Sequence, residues 1–171
     1  QTKDNRFAAI HKYEDGELIT VADGVRNIVG FDWHPLTKKM YFSDNGRDWL
    51  GDDSPSCELN VVYKEGSFFG YPFKHAKNVI DPEFGSMIPT VNKEFIDPIA
   101  ELGPHVAPLG VAFYDNNIFP KKYFFDVFFF KDPSTFLPIS SFTCLFTKIL
   151  EFKSLQVFSC ITPSILLLSN H

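Results

Sequence analysis

Ser43-Asp44-Asn45-Gly46-Arg47-Asp48-Trp49-Leu50-Gly51-Asp52-Asp53 lies between two strand-like runs, Met40 to Ser43 and Glu58 to Tyr63. A hairpin closes with about two to five residues, so a connection of this length does more than reverse the chain. Asp44, Asp48, Asp52 and Asp53 bring carboxylates, Gly46 and Gly51 let the backbone turn until carbonyls converge, and Trp49 is expected to anchor the loop apolarly. Two readings stand side by side: a hard-cation or polar-ligand site, and a solvated acidic turn capped by its own Asx side chains.

Strand-like runs recur on both sides of this loop. Upstream, Phe7 to Tyr13 and Leu18 to Val21 flank Glu14-Asp15-Gly16, an Asp-Gly turn that makes them a hairpin. His11 on this hairpin is expected at a solvent-facing position. Gly24 to Asn27 reads as a loop, Val29 to Trp33 as a strand and His34 to Lys39 as a turn. Downstream, Leu59 alternates with Val61 and Tyr63, Lys64-Glu65-Gly66 turns the chain, and Ser67 to Phe73 is extended again. Asn78 to Asn92 is a loop broken by Pro82 and Pro89, Glu94 to Leu102 is ambiguous, and Gly103 to Gly110 is a Pro/Gly-framed loop feeding the strand Val111 to Tyr114. His105, held between Pro104 and Pro108, is either pre-set toward a site or the cap of a turn. No stretch before Pro120 carries an apolar i, i+3, i+4, i+7 pattern of helical length. The chain is therefore expected to be all-β. Its repeated four-stranded units suit propeller blades, and the same spacing permits a β-sandwich.

At 171 residues the chain can bury an ordinary core. A net charge of −5 and a pI near 5.5, with no Lys/Arg run, argue against nucleic-acid or anionic-membrane partners and toward a small polar ligand. The longest apolar run, Ile165 to Leu168, is too short to cross a bilayer. Cys57, Cys144 and Cys160 show neither CxxC nor Cys/His ligand spacing, so free or buried thiols are expected, not a disulfide framework or a zinc site. The chain opens on Gln1 without a signal-like segment, and it is expected to lack its true N-terminus.

Five motifs occur in one order: Gly-Val-Arg-Asn-Ile-Val-Gly-Phe-Asp-Trp-His-Pro (Gly24 to Pro35), the acidic loop (Ser43 to Asp53), Glu-Leu-Asn (Glu58 to Asn60), Phe-Gly-Tyr-Pro (Phe69 to Pro72) and Gly-Pro-His-Val-Ala-Pro-Leu-Gly (Gly103 to Gly110). Together they resemble the pyrroloquinoline quinone (PQQ)-dependent glucose/sorbosone dehydrogenase family, over the span from Phe7 to Tyr123. The resemblance implies part of a six-bladed β-propeller whose top face binds PQQ and calcium and oxidises the C1 hydroxyl of an aldose, or an aldehyde such as sorbosone. It implies a sugar as substrate and an exported parent protein. The family's Arg-Asn pair falls on Arg26 and Asn27, where a guanidinium can fork onto a PQQ carboxylate and an amide can orient a quinone oxygen. Arg26 has a plainer alternative, a surface pair with Asp23 or Asp32. Asn45 matches a cofactor-contacting amide, and Gly46 and Arg47 inherit the calcium-holding role through their backbone carbonyls alone.

The chain departs from the family in three places. Cys57 stands where relatives often carry an acidic residue before Glu-x-Asn, a place that Asp52 or Asp53 would have to fill. None of the five His matches the family's general base, which lies in upstream blades, so no catalytic residue is assigned and the chain is expected to be an incomplete fragment. A non-catalytic interaction module and an inactive gene-model or pseudogene product are the alternatives. Third, composition changes abruptly: all 10 Gly lie at or before Gly110, whereas ten of the 20 Phe lie in Phe124 to His171. Residues 1–123 are accordingly read as a partial propeller. Residues 124–171 are read as a non-family hydrophobic tail that either packs somewhere or is translated from non-coding or frame-shifted sequence. Its Phe124 to Phe130 window is an aggregation liability.

Overall fold

The computed structural model describes residue 4, residues 6–116, residue 121 and residues 126–131, 144–150 and 154–160, with the backbone alone over 128–131, 144–150 and 154–160. β1 (Ala9–Glu14) and β2 (Glu17–Asp23) form the expected hairpin. Asp15 and Gly16 between them have φ of 50° and 89°, the left-handed pair that an Asp-Gly turn supplies. His11 is only partly exposed, with one ring nitrogen 3.2 Å from the Arg6 carbonyl and the other 3.3 Å from Thr20 Oγ1. β3 (Ile28–Trp33), β4 (Met40–Asp44) and β5 (Ser56–Val61) follow, then the two-residue strands β6 (Ser67–Phe68), β7 (Lys74–His75) and β8 (Val79–Ile80).

The extended run expected over Ser67 to Phe73 stops at Phe68, because Gly70 at φ 107° turns the chain. The proline-broken stretch Asn78 to Asn92 contains β8 and a 3-10 turn, Gly85–Thr90, around Pro89. The ambiguous Glu94 to Leu102 ends in β9 (Ala100–Pro104), and β10 (Pro108–Phe113) starts three residues before the expected strand. β9 completes an antiparallel sheet of order β3-β4-β5-β9, while β6 lies parallel beside β2 in the sheet β1-β2-β6. Register pairs Ile28 with Asp44 and Ser56 with Pro104, so the loops 24–27, 45–55 and 105–107 emerge at one end of the central sheet.

Two cores flank that sheet. Met40, Phe42 and Val62 pack with Ala22 and Val25 on one side; Cys57, Leu59 and Leu102 pack with Val106, Val111 and Val127 on the other. Each such side chain contributes about 1.5–3 kcal/mol by leaving water. Because β5 lies between both cores, every residue from Cys57 to Val62 is buried; of the expected alternating set Leu59 and Val61 are buried, whereas Tyr63, beyond the end of the strand, is exposed.

β3 and β10 meet backbone to backbone. A Cβ at Gly30 would stand 2.5 Å from the Leu109 carbonyl oxygen and 2.6 Å from Gly110 Cα. The first strands of successive antiparallel sheets thus touch while the sheets stack face on face through their cores, which is propeller geometry and not two flat sheets. The chain is all-β and forms part of a β-propeller. Gly85–Thr90 is a single 3-10 turn, and among the described residues no helix is long and apolar enough to cross a membrane.

β11 (Val127–Lys131), β12 (Cys144–Leu150) and β13 (Ser154–Cys160) extend β10 into a four-stranded antiparallel sheet. Apart from Lys121, the expected break at 119–123 lies outside the described residues, as do the side chains of Cys144 and Cys160 and most of the Phe124 to Phe130 window. Cys57 is a buried free thiol, as expected.

Candidate functional site

The loop between β2 and β3 is pulled onto the end of β4 by one side chain. Asp44, the last residue of β4 and only 6% exposed, accepts the main-chain N–H of Arg26 at 2.9 Å and of Asn27 at 2.6 Å. Burial pushes its carboxyl upward, and these two N–H donors with the nearby Arg26 charge pull it back. Asp44 therefore caps the neighbouring loop, and the part expected of it in an acidic cation cluster falls away. Asn45 follows the same seam: its N–H donates to the Asn27 carbonyl at 3.0 Å, and its Nδ2 to the carbonyls of Asn27 at 3.2 Å and Pro108 at 3.3 Å.

Arg26 closes the group. Its Nη1 donates to the Asn45 carbonyl at 3.2 Å and its Nη2 to Asp48 at 2.8 Å. Asp23 and Asp32, the alternative partners, are engaged elsewhere, Asp23 by Lys93 and Asp32 by the Phe113 N–H. Arg26, Asn27 and Asn45, separated by up to 19 residues in sequence, are thus brought together. Asp48 is 61% exposed and pairs with Arg26 from the solvent side, so the guanidinium is open to a carboxylate.

Gly46 and Arg47 continue the loop. The Gly46 N–H points at Cys57 Sγ, 3.5 Å away, and a Cβ at Gly46 would stand 3.1–3.2 Å from the carbonyl oxygens of Pro55 and Ser56. Glycine lets the loop backbone lie close against the Pro55 and Ser56 carbonyls here. Arg47 sends its guanidinium to Asp81 and Glu83. Asp52 and Asp53 are exposed, so neither takes the place that Cys57 leaves vacant of charge. Trp49 is 97% exposed and anchors nothing, against expectation; His105 Nε2 instead ties the loop at the Gly51 carbonyl, 2.8 Å away. That contact resolves His105 as a loop tie.

A second layer lies beneath. Glu58, buried on β5 opposite Asp44, accepts Asn60 Nδ2 at 2.8 Å and the Ala76 N–H at 2.6 Å. Burial and the adjacent Asp44 charge push its carboxyl up to about 7. Fully buried Asp81 accepts His75 Nε2 at 2.7 Å and the N–H of Glu83 and Phe84 at 2.9 and 2.8 Å, besides Arg47. Desolvation alone would raise the Asp81 carboxyl, but these donors outweigh it and hold it far below the usual carboxylate range. Arg26, Asp44, Arg47, Glu58, Lys74 and His75 all line one narrow cleft. Sequence reading missed His75 and Asp81, whose partner Arg47 lies 34 residues away from Asp81 with no local spacing to reveal it.

Among the described residues no three His, Cys, Asp or Glu side chains gather at a point. The cations lining the cleft already have partners, Arg26 in Asp48 and Lys74 in Asp97, so a carboxylate-bearing ligand would have to displace or share them.

Fold and site together define a propeller fragment with a polar, charge-lined loop cluster at one end of its strands. The Glucose / Sorbosone dehydrogenase family matches residues 2–129, and the chain belongs to that family. An uncharacterized protein of Borreliella burgdorferi is 50% identical over 103 residues, covering 60% of this chain and 27% of the relative. An uncharacterized Synechocystis protein is 28% identical over 98 residues, covering 57% of this chain and 22% of its own length. Among solved structures, a glucose dehydrogenase superposes with a TM-score of 0.53 at 17% identity, over 82% of this chain and 35% of that one. A Thermus thermophilus protein described as a putative oxidoreductase (glucose dehydrogenase) gives 0.52 at 18%, over 84% and 35%. The chain thus spans about a quarter to a third of the proteins it matches. Its relationship is to sugar oxidoreductases.

Proposed function

We infer that this chain carries part of the cofactor face of a PQQ-dependent sugar dehydrogenase, with Arg26, Asn27 and Asn45 contacting PQQ and the backbone carbonyls of Gly46 and Arg47 holding calcium. The observation that carries the reading is the Asp44 carboxylate, which gathers the Arg-Asn pair of one loop onto the Asn-Gly-Arg run of the next. Bound PQQ supplies a quinone that accepts hydride, and calcium a hard Lewis acid beside it. The chain's own part is placement. Arg26 offers two parallel N–H donors to a carboxylate, the Asn27 and Asn45 amides orient carbonyl oxygens, and the buried Asp44 keeps all three from drifting.

The substrate of this reading is an aldose oxidised at C1, or an aldehyde such as sorbosone. No residue of this chain is assigned as the base that takes the hydroxyl proton; His75 in the cleft is bound through Nε2 to Asp81. The test uses the intact parent protein reconstituted with PQQ and calcium. Glucose-dependent reduction of an artificial electron acceptor, lost on substituting Arg26→Ala, supports the reading; a reconstituted parent that oxidises no aldose or aldehyde contradicts it.

A further inference from the structure

The acidic loop is long and its one large apolar side chain, Trp49, is 97% exposed, so something other than apolar packing must hold the backbone of residues 46 and 47 in place. Arg47 provides it. Its guanidinium reaches across to the segment 81–84, where Nη1 meets Asp81 and Nη2 meets Glu83 at 3.1 Å. The Asp81 side chain is fully buried, and its four donors come from three separate pieces of chain: Arg47, His75, and the main chain of Glu83 and Phe84. A carboxylate saturated in this way is held in one orientation, and the guanidinium bound to it tethers residue 47 to the segment 81–84.

We propose that Asp81 is a positioning residue for the cation-binding loop, acting through the Arg47 guanidinium to aim the carbonyl of residue 47. This rests on the main-chain calcium reading given above. The Arg47 side chain has a role of its own here, distinct from its carbonyl: it is the strut, and Asp81 with Glu83 is the socket. His75 and the two N–H groups of Glu83 and Phe84 keep that socket rigid. Outer partners that orient metal ligands change affinity by about 10- to 100-fold when removed.

Terbium, a calcium surrogate excited through nearby indole, reports on this directly in the 171-residue chain. The unaltered chain is expected to give calcium-displaceable terbium emission. Arg47→Ala removes only the strut and leaves the carbonyl, yet weakens terbium binding by about tenfold. Asp81→Asn weakens it comparably, and the double variant is no weaker than either single one, as expected for a shared path. Arg47→Lys restores one donor and recovers part of the affinity. Far-UV circular dichroism of Arg47→Ala stays that of the unaltered chain. Terbium affinity unchanged in Arg47→Ala contradicts the positioning role while leaving the calcium reading intact. Absence of calcium-displaceable emission in the unaltered chain overturns the calcium reading, and the positioning role falls with it.

Discussion

Asp44 and Glu58 are cross-strand partners on β4 and β5, both more than nine-tenths buried, and each accepts two hydrogen bonds from different pieces of chain. Asp44 takes the main-chain N–H groups of Arg26 and Asn27, whereas Glu58 takes Asn60 and Ala76. Two carboxylates so placed cannot both ionise cheaply: burial raises both, and burial together with the Asp44 charge pushes the Glu58 carboxyl up to about 7.

Stability should therefore fall as pH rises. Below the ordinary Glu value of 4.5 Glu58 is protonated folded and unfolded, and its contribution is complete. Between 4.5 and about 7 the unfolded chain ionises first, so stability is lost progressively, by up to about 3 kcal/mol, and then levels off. Glu58→Gln removes this titration. Urea unfolding of both proteins at pH 5 and pH 8 checks it: the variant should lose less stability across that interval than the unaltered chain.

Gly30→Ala should be costly although the backbone there is ordinary. Its Cβ would sit 2.5 Å from the Leu109 carbonyl oxygen and 2.7 Å from the Val111 N, so β3 and β10 must move apart. A loss of about 2 kcal/mol or more is expected in denaturant unfolding. An unchanged midpoint would mean that these strands do not meet at the propeller axis.

Asp48 occupies the Arg26 fork from solvent, and an exposed pair of this kind contributes at most about 1 kcal/mol. Asp48→Ala is expected to leave stability within about 0.5 kcal/mol while raising affinity for PQQ a few-fold, because the quinone's carboxylate no longer competes for the guanidinium. Quenching of intrinsic fluorescence by PQQ measures both proteins on one scale.

Local chemistry was legible in the chain and long-range chemistry was not. The Asp15-Gly16 turn, the strands around Phe31 and Phe42 and the acidic loop follow from turn residues and short apolar runs, which act over a few positions. The Arg26, Asn27 and Asn45 group was visible only as two motifs in order; what joins them is the Asp44 side chain, whose partners lie 17 and 18 residues away. The Arg47–Asp81 contact had no sequence signature at all. β5 keeps its alternation, Cys57, Leu59 and Val61 against Glu58 and Asn60, but its polar side is buried in a hydrogen-bonded group and not turned to solvent, which the pattern alone does not reveal. Trp49 misled because an aromatic side chain in a loop is no guarantee of a core to receive it.

Equilibrium titration of the chain with PQQ, in excess calcium and again in chelator, tests the central claim most directly. Saturable binding that requires calcium and weakens at least about tenfold in Arg26→Ala is the predicted result. PQQ binding that is absent, or indifferent to both calcium and Arg26, would contradict the account.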